Sequence, residues 1–289
     1  MRIDVDPFSG FCFGVVHAVR TAEELLNKGD ELFCLGEIVH NQQEVDRLKA
    51  KGLVFVDHET FKTLQDVNVL IRAHGEPPET YKIAQQNNIN IIDASCKVVL
   101  GLQKKVKRAW EEMQEKNGQI LIFGKKEHPE VIGLCGQTDD NAIIIRSVSE
   151  AKQYDFKTPV RLFAQTTMSI HEYEKLKSYI EKQLTSAGCD DYKAYNSICK
   201  QVSNREVHIQ EFAEDHDVVV FAGGKNSSNA KFLFSICKSV NDRSYFISAL
   251  EDLNCEWFKN VHSIGISGAT STPQWFMEQV KQKIEHECI

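Results

Sequence analysis

Nine short runs, almost wholly apolar, punctuate this chain: Leu32–Leu35, Val54–Val56, Asn68–Ile71, Ile91-Ile92, Ile120–Phe123, Ile143–Ile145, Val160–Phe163, Val218–Phe221 and Ile264–Ile266. Stretches of helical periodicity lie between them, Ser169 to Leu184 and Gln274 to Glu285 among them. A strand without polar alternation has no face suited to water, so the runs predict parallel sheets covered by helices on both sides, an α/β fold. In such sheets ligands bind just beyond the carboxyl ends of the strands.

Three of the nine cysteines follow apolar runs in similar settings: Gly10-Phe11-Cys12-Phe13-Gly14, Asp93-Ala94-Ser95-Cys96 and Asn196-Ser197-Ile198-Cys199. They divide the chain into near-thirds. Two strand-then-polar turns follow each: His40 and His74, then His128 and Gln165, then Ser227 and Ser271. This ordered self-similarity predicts three small parallel-sheet α/β domains around a shared centre, residues 13–96, 97–195 and 196–289, the last joined by residues 1–12. One thiol per copy points to metal at that centre. No Cys-x-x-Cys pair occurs, so zinc-ribbon and thioredoxin signatures are absent. Zinc, a redox disulfide system and an iron-sulfur cluster all remain open, and three thiols on a four-iron cluster leave one iron open to substrate. Cys34, Cys189, Cys237 and Cys255 read as buried small hydrophobes and Cys288 as tail.

With 289 residues, 42% of them hydrophobic, the chain can bury a large core without disulfides, and nine dispersed cysteines fit a reducing compartment. No signal-like leader and no run of membrane-spanning length is seen, so a cytoplasmic location is expected. A net charge of −7 argues against nucleic acid. The one dense basic run, Lys104-Lys105-Val106-Lys107-Arg108, reads as a solvated helix face or as part of a dock for an acidic redox protein.

Polar groups at the strand ends look like an anion cage. Gly223-Gly224-Lys225-Asn226-Ser227-Ser228-Asn229 is a strand-to-helix turn, and a helix start presents free N–H groups to an anion. It lacks the spacing of a nucleotide-triphosphate loop. Gly268-Ala269-Thr270-Ser271-Thr272-Pro273 repeats the design, although capping alone also explains a serine or threonine there. His40, His74 and His128, at matching sites, suit donors to a diphosphate. Glu130 becomes a general acid if burial keeps it protonated, and is otherwise an ordinary first-turn glutamate. Gln165 and Thr166 add amide and hydroxyl groups.

Taken in order, Phe11-Cys12-Phe13-Gly14-Val15, Ile38-Val39-His40-Asn41, Arg72-Ala73-His74-Gly75, Asp93-Ala94-Ser95-Cys96, His128-Pro129-Glu130, Gln165-Thr166-Thr167, Ile198-Cys199, Lys225-Asn226-Ser227-Ser228-Asn229 and Ser271-Thr272-Pro273 resemble the 4-hydroxy-3-methylbut-2-enyl diphosphate reductase family of the non-mevalonate isoprenoid pathway. The resemblance spans nearly the whole chain. It implies a pseudo-threefold trefoil around a 4Fe-4S cluster held by Cys12, Cys96 and Cys199, with one open iron. It implies diphosphate binding by His40, His74, His128, Ser227, Ser228, Asn229 and Ser271, with Gln165 and Thr166 also lining the substrate. Glu130 would deliver protons through a network with Thr166 and His128. Two electrons, from a donor such as ferredoxin or flavodoxin, would accompany C–O cleavage to isopentenyl or dimethylallyl diphosphate.

Three positions depart from the family pattern: Lys97 stands where proline is usual, Lys200-Gln201-Val202 where an Ala-Thr pair is common, and Glu206 where glutamine is usual. Competing readings are a non-redox iron-sulfur hydro-lyase, which needs no electron donor, and a cluster-based redox sensor, which needs no anion cage.

Overall fold

The computed structural model describes residues 1–289, the side chain of Ser228 excepted. The strands form three four-stranded sheets, and each pairing whose register is described is parallel. The first sheet uses β2 (Phe33–Leu35), β3 (Val54–Val56), β4 (Asn68–Ile71) and β5 (Asn90–Asp93), in the order β3-β2-β4-β5. The second uses β6 (Gln119–Phe123), β7 (Ile143–Ile145), β8 (Val160–Ala164) and β9 (Tyr192–Ala194), in the order β7-β6-β8-β9. In the third, β10 (Val218–Ala222), β11 (Ser244–Ile247) and β12 (Ser263–Gly268) are completed by the amino-terminal β1 (Arg2–Val5), in the order β11-β10-β12-β1.

All three sheets thus follow one winding, in which the second strand lies outside the first and the third and fourth extend the other side. The repeat expected from the cysteine spacing is present, and the chain's start supplies the last strand of its final copy. All nine apolar runs fall in strands. The three strands they did not announce, β1, β9 and β11, lie at sheet edges and carry polar residues such as Arg2, Asp4, Lys193 and Ser244.

The connecting helices are α1 (Phe13–Leu26), α2 (Gln42–Ala50), α3 (His58–Phe61), α4 (Pro78–Gln86), α5 (Lys97–Glu115), α6 (Pro129–Cys135), α7 (Val148–Ala151), α8 (Ile170–Ser186), α9 (Lys200–Glu214), α10 (Ser228–Val240) and α11 (Gln274–Lys283). The chain forms two compact units, residues 1–57 with 204–289, and residues 58–203.

Within residues 58–203, alternate residues of β6 and β8 feed two cores. Leu121, Phe123, Leu162 and Ala164 meet Tyr173, Leu176 and Ile180 of α8, while Ile120, Ile122 and Phe163 meet Leu102, Val106 and Met113 of α5. A strand buried on both faces has no place for a polar residue unless that residue is paired. Arg161, wholly buried on β8, meets this condition by bridging Glu112 and Asp191 at 2.6 Å each. In the other unit β10 divides likewise: Val218, Val220 and Ala222 pack with Phe276, Met277 and Val280 of α11, and Val219 and Phe221 with Ile209, Ala213 and Leu233 of α9 and α10.

One cysteine expectation is corrected. Cys255 and Cys288 form a disulfide, and Cys255 is exposed rather than a buried hydrophobe. The turn at Cys255–Phe258 and the carboxyl-terminal tail are brought together by the cores around α11, a contact between positions 33 residues apart that spacing cannot announce. Cys34 and Cys237 are fully buried, as expected. Among the described residues no helix is long and apolar enough to cross a membrane.

Candidate active site

Each of the three cysteines stands at a helix start. Cys12 caps α1, Cys96 caps α5, and Cys199 immediately precedes α9. Each also donates its backbone N–H to a loop at the end of its sheet's third strand: Cys12 to the carbonyl of Thr270 at 3.3 Å, Cys96 to Ala73 at 3.0 Å and Cys199 to Thr166 at 2.9 Å. The bond is the same in all three copies, and it shows where each cysteine belongs. It closes the sheet before it, and the helix it starts leads on to the next. A helix start favours thiolate over thiol, the form that binds metal. At Cys96 the backbone N–H groups of Val98 and Val99 act to favour the thiolate. Burial nonetheless raises its pKa, and the nearby Cys199 and Glu130 raise it further, so these three groups share one neighbourhood of residues 58–203. All three cysteines are free of disulfides.

Glu130 lies in the first turn of α6 and is 1% exposed. Thr166 donates to both of its oxygens, from the backbone N–H to Oε1 and from the hydroxyl to Oε2, each at 2.7 Å. These bonds favour the carboxylate, but burial outweighs them and raises the pKa to about 7. His128 caps the same helix, its Nδ1 accepting the N–H of Glu130 at 3.2 Å. An accepting Nδ1 places the ring proton of the neutral imidazole on Nε2, making that nitrogen a donor. The rings of His74 and His128 meet edge to face with centroids 5.3 Å apart.

Gln165 is 2% exposed, and its amide is engaged with the chain itself. Oε1 accepts the N–H of Lys125 at 3.1 Å and Nε2 donates to the Thr167 hydroxyl at 2.8 Å. It therefore ties the loop after β6, which leads to His128, to the loop after β8.

In the other unit, the Ser227 hydroxyl caps α10 by accepting the N–H of Ala230 at 3.2 Å, and stands 3.2 Å from the Ser271 hydroxyl. Capping and pairing coexist there. Asn229 donates from Nδ2 to the Thr270 hydroxyl at 2.8 Å, leaving its buried Oδ1 without a hydrogen bond. Thr270 thus holds Cys12 by its carbonyl and Asn229 by its hydroxyl. His40 approaches the same region backbone to backbone: a Cβ at Gly224 would collide with the His40 carbonyl oxygen, so only glycine fits. The Ser228 side chain lies outside the described residues.

Sequence reasoning gave no role to Arg205. It is 7% exposed and donates to the carbonyls of Gly10, at 2.8 Å, and Gly268. Burial lowers its pKa, while Asp6 and Cys12 act in the opposite direction, so a cation lies close enough to Cys12 to favour its thiolate. Only the fold brings α9 to the Cys12 loop.

The family model for LytB protein matches residues 3–285. A 4-hydroxy-3-methylbut-2-enyl diphosphate reductase of Bacteroides thetaiotaomicron is 48% identical over 285 residues, covering 99% of this chain and 98% of that protein. The reductase of that name from Porphyromonas gingivalis is 46% identical, covering 98% of each. A solved structure of (E)-4-hydroxy-3-methyl-but-2-enyl diphosphate reductase, the terminal enzyme of the non-mevalonate pathway, superposes with a TM-score of 0.73 at 34% identity, covering 99% of each chain. A Plasmodium falciparum reductase structure, 24% identical, shares the fold with a TM-score of 0.85 over 99% of this chain and 89% of its own. The chain belongs to the LytB protein family.

Proposed function

We propose that this chain is an oxidoreductase that removes the hydroxyl group of 4-hydroxy-3-methylbut-2-enyl diphosphate, giving isopentenyl and dimethylallyl diphosphate. Relatives that carry that reductase name match it at 48% identity over nearly the full length. Overall, substrate plus two electrons and two protons give one prenyl diphosphate and water. The observation that carries the reading is Glu130, a carboxyl group poised by burial to hold a proton near neutral pH, in one neighbourhood with the thiols of Cys96 and Cys199.

Cys12, Cys96 and Cys199 fit an iron-sulfur cluster, since each is a soft sulfur ligand, free of disulfides and held at a helix start. A 4Fe-4S cluster held by these three cysteines would supply electrons and a Lewis-acidic iron for the substrate hydroxyl. The chain's residues do the rest. His40, His74 and the Nε2–H of His128, with Ser227, Ser228, Asn229 and Ser271, receive the diphosphate. The spare Oδ1 of Asn229 awaits a donor or a water. Glu130 holds the proton that leaves with the hydroxyl as water, and the Thr166 hydroxyl, 2.7 Å away, steers its release. Gln165 keeps the His128 loop at its distance. The four strands of each sheet fall within residues 13–96, 97–195 and 196–289 with 1–12, which supports those thirds as the repeating domains. The chemistry requires a reduced electron carrier, and the cytoplasm is the expected compartment.

The test is anaerobic turnover of wild type and Glu130→Gln with a reductant supplied. Loss of nearly all turnover with the cluster absorption retained is expected. Undiminished turnover removes Glu130 from the role, and turnover without any reductant favours a hydro-lyase instead.

A further inference from the structure

The basic run that the reaction leaves unused has a definite place in residues 58–203: it lies on α5, the helix capped by Cys96. At about 100° per residue, Lys97, Lys104, Lys105 and Arg108 gather on one side of the helix with Gly101 among them. Val99, Leu102, Val106, Ala109 and Met113 turn to the core. Lys97, Lys104, Lys105, Lys107 and Arg108 are all exposed, as is Val98.

Some lysines elsewhere in the chain pair with acids, as in Lys62–Glu59, Lys116–Glu112, Lys175–Glu172 and Lys259–Glu256. Among the described residues, the five cations of α5 make no such pair. The acids of α5 are confined to its last turns, where Glu112 is held by Arg161 and Lys116. In a chain of net charge −7, the first three turns of α5 therefore carry a concentrated positive field that begins beside Cys96. The stripe from Lys97 to Arg108 is about 16 Å long at the helical rise. Val98 and Gly101 leave a low, partly apolar strip among the charges, the composition of a charge-rimmed protein contact.

We propose that this face of α5 docks a small acidic electron-transfer protein, of iron-sulfur or flavin type, which delivers electrons beside Cys96. The proposal rests on the reductase reading. In each turnover the partner loses two electrons, in one or two encounters, while the substrate's C–O bond breaks and a C–H bond forms with uptake of two protons and release of water. A protein fits better than a nucleic acid. Five cations on three helical turns neutralise few phosphates, and no aromatic residue stands among them to stack a base.

The experiment compares wild type, a charge-reversed variant (Lys104→Glu, Lys105→Glu, Arg108→Glu) and a neutral one with glutamine at the same positions, all as cluster-loaded enzyme. Turnover is driven either by dithionite-reduced methyl viologen or by a reduced acidic ferredoxin. Viologen-driven turnover should stay within twofold in both variants. The KM for ferredoxin at low salt should rise at least tenfold on reversal and less on neutralisation, and the gap should narrow as salt rises. Calorimetric binding of oxidised ferredoxin, which needs no turnover, should weaken in parallel. The glutamine variant carries the comparison if reversal impairs folding.

Unchanged ferredoxin KM and binding in the variants overturn the proposal. So does an equal loss with viologen, or tighter binding of a single-stranded oligonucleotide than of ferredoxin at the same salt. Absence of viologen-driven turnover in wild type instead refutes the reductase reading, and the calorimetry still decides whether α5 is the docking face.

Discussion

Replacing Glu130 with glutamine separates the cost of burying this carboxyl from its use. The folded pKa of about 7 stands above the ordinary value of 4.5 because burial disfavours the charge more than the two Thr166 bonds favour it. A raised carboxyl pKa means that the folded state holds its proton more tightly than the unfolded chain. The associated stability is fully present below about pH 4.5 and is lost as pH rises through 7. At ~1.4 kcal/mol per unit, the shift costs the wild type about 3 kcal/mol by pH 8. Glutamine carries no charge, and its amide can still accept the Thr166 N–H while its NH2 group meets the hydroxyl.

The metal-free Glu130→Gln protein should therefore match wild type at pH 5 to within about 1 kcal/mol and exceed it by about 3 kcal/mol at pH 8. Urea unfolding at fixed ionic strength measures both, with stabilities taken from the midpoints and a common slope. In the loaded enzyme the same substitution should lower kcat by about 10²-fold or more, the usual contribution of a positioned acid. Stability curves that run parallel from pH 5 to 8 would refute the assignment of the shift to burial, whatever happened to turnover.

Thr166→Val keeps the backbone donor but removes the hydroxyl, so the carboxylate of Glu130 loses about 1.5–3 kcal/mol of charge-assisted bonding. The pH at which kcat/KM falls, expected near 7 in wild type, should move up by about one unit or more. A limb that stays in place argues that Glu130 is not the titrating group. Gly224→Ala must push the turn after β10 away from the His40 carbonyl, at a cost of about 1–3 kcal/mol. Calorimetry should show at least tenfold weaker binding of a prenyl diphosphate, and unchanged affinity would separate that contact from the anion cage. Arg161→Met leaves the partly exposed carboxylates of Glu112 and Asp191 to Lys116 alone and should lower the midpoint of urea unfolding. Adding Glu112→Gln and Asp191→Asn should recover much of that loss, and no recovery would count against the ion-pair explanation.

The sequence by itself determined the sheets and the family. The runs Ile120–Phe123, Val160–Phe163 and Val218–Phe221 contain nothing that tolerates water, and they became the central, doubly covered strands. The positions of Cys12, Cys96, Cys199, His40, His74 and His128 in the loops that follow strands were legible, because an apolar run must end where the chain turns. Edge strands such as β9, with polar Lys193 and partners on one side only, were not.

The tertiary structure decided what those groups can do. Glu130 is acidic or basic near pH 7 according to burial and the two bonds from Thr166, 36 positions away. The bonds from the three cysteines to Ala73, Thr166 and Thr270, the placement of Arg205 near Cys12 and the Cys255–Cys288 link likewise join segments separated along the chain. Apolar pattern is a local property carried by each run. Proton affinity and close approach depend on which distant segments exclude water from a given atom, and that is fixed only when the chain has folded.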